Sequence, residues 1–401
     1  MVIFGQIIVY IIMACAFIGC ISLIFNEESE LGKEFIAGID SIGPIFLPVA
    51  GVMASVTLLT NIVGNVFGPL FEVIGADPAM AATTFIAVDM GGYQLADALS
   101  KTREGWIMAM MTGYMAGATI VFTIPVALKI IEKRDRKYLA LGIMSGLLAI
   151  PVAVLAFSII IALTNPYVRE IISTNSVATY QLMLTWKEIF SNLVPIFIIC
   201  LLLSLGLKFK PDKMINGFNY FGKILDAILK LVFVLVVIEY FTGIFSRILG
   251  NNWILMPIIA TEDDIFRALE VAGAIGIMLC GAFPMVYLLR KYLTKPIGKL
   301  GDKFGLSSDA TTALLAASAN VLAALAMIKD LKAKDKVIVI AFSVCCAFLF
   351  GDHLSFTANF QPSLIFAIMF GKIVGGIFGI VFAIKLAVPK AEELELLEQN
   401  I

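Results

Sequence analysis

The sequence predicts an all-α polytopic membrane protein of about ten to eleven transmembrane helices, built as two structural repeats, read as inverted, that contain broken or re-entrant helices. Three observations carry this. Hydrophobic residues make up 60% of the chain and charged residues 15%, against roughly half and a quarter in soluble domains. Apolar runs of about 20 residues, each long enough to cross a hydrocarbon core, recur from Val2 to Val388 with short polar connections. Two Ala/Thr-rich stretches about 230 residues apart resemble one another, as an internal duplication would leave them.

In chain order, the expected spans are 2–25, 35–60, 105–131, 138–163, 191–209, 224–245, 265–289, 337–354 and 363–388. The first lacks a charged n-region and is longer than a signal peptide's apolar core, so it is expected to be a retained helix. Two further stretches are apolar but interrupted. Residues 61–98 are broken by glycines, Pro69, Pro78, Asp77 and Asp89, and residues 308–328 carry Ser318 and Asn320 at their middle. Broken backbone at membrane depth needs protein or a wet cavity around it, so both are expected to be discontinuous or re-entrant.

The duplication is read from "GADPAMAATTFIAVDMGG" (75–92) beside "GLSSDATTALLAASANVL" (305–322), and from "FIAGIDSIGPIFLPVAGVM" (35–53) beside "ALEVAGAIGIMLCGAFPMV" (268–286). It divides a single membrane-embedded unit over 1–401 into repeat 1 (35–163) and repeat 2 (265–388), with a polar tail at 391–401 on which no function is placed. Lys and Arg counts put the basic loops 129–138, 208–214 and 290–303 on one face and the acidic loops 26–30 and 259–264 on the other. The basic loop 329–336 joins the first group only if 308–328 is re-entrant, which makes the repeats inverted, the arrangement in which broken helices meet at a midplane site.

An ionisable group inside a membrane costs about 2.5 to 3.5 kcal/mol on insertion scales, so each one needs a reason. Asp89 sits in "AVDMGGYQLAD", where Gly91 and Gly92 let the backbone turn or approach a ligand closely. Asp352 and His353, the only histidine, follow Gly351 in "FGDHLSF". Asn320 aligns with Asp89 across the repeats. Asp89 to Thr123 is 34 residues and Asn320 to His353 is 33, so four polar breaks are expected to converge on one small pocket. The bland alternatives are an Asp352–His353 pair locking two helices and an Asp89 that caps a half-helix starting near Met90. Asp226 and Lys230, spaced i,i+4, are expected to pair on a helix surface.

Several functions are disfavoured. A net charge of −1 with scattered basic residues gives no footprint for nucleic acid. The six cysteines lie in apolar runs without C-x-x-C spacing, so neither metal nor redox chemistry is expected. No Walker sequence or Gly-rich phosphate loop is found, and no cofactor is expected.

The stretches "AVDMGGYQLA" (87–96), "GATIVFTIPVALKIIEKRDRKYLALGI" (117–143), "GLKFKPDKMINGF" (206–218), "ALEVAGAIGIMLCGAFPM" (268–285) and "FGDHLSF" (350–356) together resemble the ethanolamine permease family of bacterial ethanolamine-utilisation systems. The resemblance covers nearly the whole chain except the tail. It implies a transporter rather than an enzyme, a multi-pass protein of the bacterial inner membrane, with ethanolamine as small-molecule partner. Protonated ethanolamine, an amine with a pKa near that of lysine at about 10, asks for a carboxylate, an aromatic face and hydroxyl partners. Asp89 or Asp352 is expected as counter-ion, with Asn320, Thr123 and Ser355 for the hydroxyl and Tyr93 or Phe356 stacking. His353 could hold the carboxylate or move a coupling proton. Oligomeric state is not legible. Two other readings stay open: an intramembrane aspartyl protease using Asp89 and Asp352, against which "LFGD" departs from the "GxGD" such enzymes resemble, and an ion-coupled carrier of another small polar solute.

Overall fold

A computed structural model describes residues 2–262, 264–303 and 306–399. Asp263 of the acidic loop, Gly305 of the second repeat stretch and residues 400–401 of the tail lie outside the described residues. The apolar runs become helices because only a helix satisfies every backbone N–H and C=O within its own segment when no water is at hand.

α1 (Val2–Phe25) is followed by α2 (Glu30–Asp40), whose N-cap Ser29 accepts from the Gly32 N–H at 3.2 Å. α3 (Ile42–Ala54), α4 (Val56–Val66) and α5 (Gly68–Val73) lead to two short helices, α6 (Ala79–Phe85) and α7 (Gly92–Leu99), with a 3-10 turn at Val88–Met90 between them. α8 (Arg103–Thr112) widens into π-helical turns at Gly113–Gly117 and Thr119–Thr123 before α9 (Ile124–Ile130). α10 (Arg136–Thr164) precedes a small antiparallel hairpin of β1 (Tyr167–Val168) and β2 (Tyr180–Gln181). A reciprocal Thr185–Glu188 capping box starts α11 (Trp186–Phe209). Then come α12 (Pro211–Thr242), α13 (Ile244–Leu249), α14 (Ala268–Lys303), α15 (Ser308–Ala319), α16 (Val321–Met327), α17 (Ala333–Cys346), α18 (Asp352–Phe360), α19 (Ile365–Phe382) and α20 (Val388–Gln399).

Among the described residues seven stretches are long and apolar enough to cross a membrane: Ile3–Phe25, Glu30–Ala54, Arg103–Ile130, Lys133–Thr164, Trp186–Phe209, Ala268–Thr294 and Pro362–Glu398. The remaining expected segments fall short for physical reasons. α6–α7, α15–α16 and α17–α18 are interrupted, and α12 carries Asp226, Lys230 and Glu239 in its apolar part. α10 packs on α11, α17 and α19, and α14 packs on α1, α2 and α3. Outward-facing Tyr10 and Phe17 of α1, 73% and 69% exposed, belong against lipid rather than water. The chain is a multi-pass membrane protein.

Long-range contacts define two ends of the bundle. At one, a buried Lys336–Asp135 ion pair of 2.6 Å ties loop 329–336 to loop 129–138. At the other, Arg169 donates its backbone N–H to Gln361 Oε1 at 2.9 Å, and Ser363 donates to the Tyr167 carbonyl at 2.7 Å. One expectation is corrected here. The acidic loop 26–30 does not lie opposite the basic loops: Glu34, one turn into α2, pairs with Arg290 at 3.1 Å, toward the end that holds the other basic loops. The reason is that 61–98 does not cross but returns to the end it entered, as described below, which puts 26–30 and 129–138 on one face. The polar tail is helical over 391–399. It continues α19 as α20, and Glu398 binds Lys137 at 2.5 Å and Tyr138 at 3.1 Å while Glu395 accepts from the Ala333 N–H at 3.0 Å.

Candidate functional site

Four interruptions of helix build the site. The first lies in the α6–α7 hairpin, which Asp77 clasps at its mouth. Its carboxylate accepts from the backbone N–H of Ala79 (2.9 Å), Lys101 (3.0 Å) and Thr102 (3.2 Å), so the chain leaves where it entered. At the tip, Gly91 has φ +92°, a left-handed conformation that glycine alone adopts without strain. Asp89 stands in the turn just before it. α7 takes Gly91 as its N-cap with no side-chain cap bond, so the capping role considered for Asp89 is not what this carboxylate does. Its Oδ1 is buried with no hydrogen-bond partner.

The second interruption is Asn320, extended at φ −150° and ψ 119° between α15 and α16. Its Oδ1 accepts from the Leu322 N–H at 2.9 Å and so starts α16. The third, 347–351, separates α17 from α18 and is stitched to the second. Phe348 and Phe350 donate their N–H groups to the carbonyls of Ala317 (3.1 Å) and Ser318 (2.8 Å). Phe348 is held at φ +57°, a strained position of the kind that persists where surroundings over-determine it. A Cβ on Gly351 would run into the Ala319 carbonyl, so the close approach of the two breaks requires glycine. The fourth is the pair of π turns after α8, a feature frequent at functional sites.

All four breaks border one cavity of about 300 Å³. Asp89, Asn320, Asp352 and His353 line it, with Phe348, with Ala118 between the two π turns and with Phe122 from the second. Ser41, Pro44 and Pro48 of α3 and Phe283 of α14 close the walls. A second cavity of about 530 Å³ shares Pro44, Pro48, Met90 and Phe122 with the first and reaches Lys129 and Lys223. Lys129 belongs to loop 129–138, so the second cavity reaches from the shared residues to the basic end.

Asp352 and His353 do not pair with each other as a helix lock. The imidazole Nδ1 instead meets the ammonium of Lys372 on α19 at 2.9 Å, and Nε2 is buried without a partner. Lys372, fully buried, also donates to the Tyr114 carbonyl at 3.4 Å. Sequence reading missed Lys372. Its signal was a lone lysine in the otherwise apolar run "FGKIVGG".

Four expected site residues lie outside this cavity. Thr123 is buried behind Phe122, which takes the lining position instead. Ser355 is buried on α18, its Oγ unpartnered. Tyr93 stacks on Trp106 (centroids 4.5 Å) and accepts from Gln361 Nε2 at 2.9 Å, while Phe356 sits edge-on to Tyr93 at 5.4 Å. Tyr93, Trp106, Phe356 and Phe360 thus form an aromatic plug toward the Arg169 end. Gly92 supplies close packing, since a Cβ there would press on the Ala87 carbonyl at 2.5 Å. Asp226 and Lys230 form the exposed pair expected, at 2.7 Å. Among the described residues no group of three or more His, Cys, Asp or Glu side chains is placed to hold a metal.

Comparison with known proteins adds a family to this geometry. A probable ethanolamine permease EutH of Listeria monocytogenes serotype 1/2a (strain 10403S) is 36% identical, over 92% of this chain and 91% of its own. The probable ethanolamine permeases EutH of Escherichia coli K12 and Salmonella typhimurium LT2 are each 35% identical, over 92% of this chain and 92% of theirs. No solved structure matches. The family described as Ethanolamine utilisation protein, EutH, matches residues 4–386, and the chain belongs to that family.

Proposed function

We propose that the protein carries ethanolamine across the bacterial inner membrane by way of the Asp89–Asp352 cavity. The observation that carries this is a buried carboxylate oxygen, Asp89 Oδ1, left without a partner beside a second carboxylate in a mostly apolar cavity. A buried anion is stable only when paired, and the ammonium of a small amino alcohol supplies the missing charge. The names of the relatives point to the same substrate. The cavity volume of about 300 Å³ falls at the lower end of ligand pockets, roughly 300 to 1,000 Å³, and holds a small solute with room to spare.

The two halves, 35–163 and 265–388, each contribute a hairpin and a broken helix, and we read them as inverted repeats that rock about the cavity. In this reading the cavity would open toward the basic, cytoplasmic end by movement of Pro44, Met90 and Phe122, which part it from the second cavity. The aromatic plug around Tyr93 and Phe356, latched by Gln361 and Arg169, closes the opposite route. Tyr93 and Phe356 are then gate residues rather than ligand contacts.

The test is uptake of labelled ethanolamine into proteoliposomes. Asp89→Asn and Asp352→Asn, each folded, are expected to lower kcat/KM at least tenfold, since each tenfold step corresponds to about 1.4 kcal/mol and loss of a buried counter-ion costs more than that. Uptake at wild-type rates by both variants overturns the proposal.

A further inference from the structure

Three side chains flank the buried His353. The Tyr114 ring flanks it at 4.6 Å between centroids and the Phe348 ring at 5.4 Å. Lys372 Nζ lies 2.9 Å from Nδ1. The remaining polar atom, Nε2, is buried without a partner on a residue that lines the cavity. The surroundings of Lys372 are equally one-sided: an imidazole nitrogen, the Tyr114 carbonyl and, 5.9 Å away, the Tyr114 ring. All three are acceptors or an electron-rich face, which suits a donor-only ammonium. An ammonium donating to Nδ1 makes that nitrogen the acceptor and places the imidazole proton on Nε2.

We propose that Lys372 is a positioning residue that holds His353 in its Nε2–H form, so that His353 donates a hydrogen bond to the hydroxyl oxygen of the bound amino alcohol while Asp89 and Asp352 take the ammonium. This deepens the ethanolamine reading and rests on it. It also divides the site chemically. The carboxylates recognise any small primary ammonium, and the Lys372–His353 pair supplies the discrimination for a hydroxyl two carbons away. A site with a buried donor rejects an analogue that lacks the hydroxyl, because the donor is left unpaired. Asn320 complements it: its Oδ1 is committed to the Leu322 N–H, so the side chain offers the cavity its amide N–H groups and no free acceptor from that bond.

The experiment compares ethanolamine with ethylamine, which keeps the ammonium and lacks the hydroxyl, as inhibitors of labelled ethanolamine uptake in proteoliposomes. Wild type is expected to prefer ethanolamine by at least tenfold. Lys372→Met is expected to raise the half-saturating ethanolamine concentration about tenfold and to leave the ethylamine inhibition constant within about twofold, a tenfold step being one neutral hydrogen bond's worth. Lys372→Arg, which keeps a donor cation, is expected to recover part of the preference. A folded Lys372→Met that keeps the full preference, or that loses both ligands equally, overturns the assignment. If Lys372→Met does not fold, His353 decides: His353→Gln retains an amide N–H and should keep a preference, whereas His353→Leu should abolish it, and a preference surviving in His353→Leu overturns the assignment. Wild-type protein that takes up no ethanolamine overturns the transporter reading itself, an outcome distinct from the loss of discrimination.

Discussion

Asp77 is the most exposed weakness of the α6–α7 hairpin, and its removal has a magnitude that follows from its bonds. The carboxylate is 8% exposed and accepts from three backbone N–H groups, one local (Ala79) and two from the far side of the hairpin (Lys101 and Thr102). In Asp77→Ala the local bond is a cap, worth about 1 kcal/mol. The two distant bonds have a charged acceptor, worth about 1.5 to 3 kcal/mol each. Lys101 is largely exposed, and water recovers part of that loss, so the expected destabilisation is about 3 to 4 kcal/mol. Asp77→Asn keeps one neutral acceptor oxygen and should lose about half as much. Asp77→Glu offers no rescue, since the Asp77 carboxylate already fills the space beside Gly105 that a Cβ there would need, and a longer side chain displaces the acceptor from its three N–H donors. Thermal and denaturant unfolding of the purified protein in detergent, followed for wild type and the three variants, gives the comparison. A loss below about 1 kcal/mol in Asp77→Ala would refute the reasoning: the hairpin would then be held by packing alone.

Three further outcomes follow from named contacts. Lys336→Met leaves Asp135 buried and unpaired and should cost about 3 to 5 kcal/mol in the same unfolding assay, whereas Asp135→Leu combined with Lys336→Met should recover most of it. Gly91→Ala forces a side chain into a left-handed turn and against Val52 Cβ at 2.6 Å, so the folded yield should fall and ethanolamine uptake with it, by at least tenfold in kcat/KM; normal uptake would show that the turn relaxes without moving Asp89. Tyr93→Phe removes only the hydroxyl that accepts from Gln361 and should leave the KM for ethanolamine unchanged, and a tenfold rise in KM would instead make Tyr93 a ligand contact.

Much of the site was written in the sequence because membrane-depth polarity is conspicuous. Asp89, Asn320, Asp352 and His353 stand out in apolar runs, and glycine and proline mark the broken backbone beside them. What the sequence hid was rotation and reach. Thr123 was expected because it stands 34 residues after Asp89 as His353 stands 33 after Asn320, but the π turns at Gly113–Gly117 and Thr119–Thr123 add residues per turn, and Phe122 lines the cavity in its place. Lys372 was passed over because its partner, His353, lies on another helix and nothing local in "FGKIVGG" reports that contact. Tyr93 and Phe356 were read as stacking groups for a cation, whereas their nearest rings are Trp106 for Tyr93 and Phe360 for Phe356. The end on which loop 26–30 lies depended on whether 61–98 crosses, and the bonds that settle it come from the Asp77 side chain to residues 101 and 102, beyond any periodic signal.

The most direct measurement is a high-resolution structure of the protein in lipid nanodiscs with ethanolamine present, paired with one of Asp89→Asn under the same conditions. The account predicts density for ethanolamine in the central cavity of the wild type, its ammonium within hydrogen-bond distance of Asp89 and Asp352 and its hydroxyl toward His353 Nε2, and an empty cavity in Asp89→Asn. Ethanolamine bound elsewhere, or bound identically in Asp89→Asn, would contradict it.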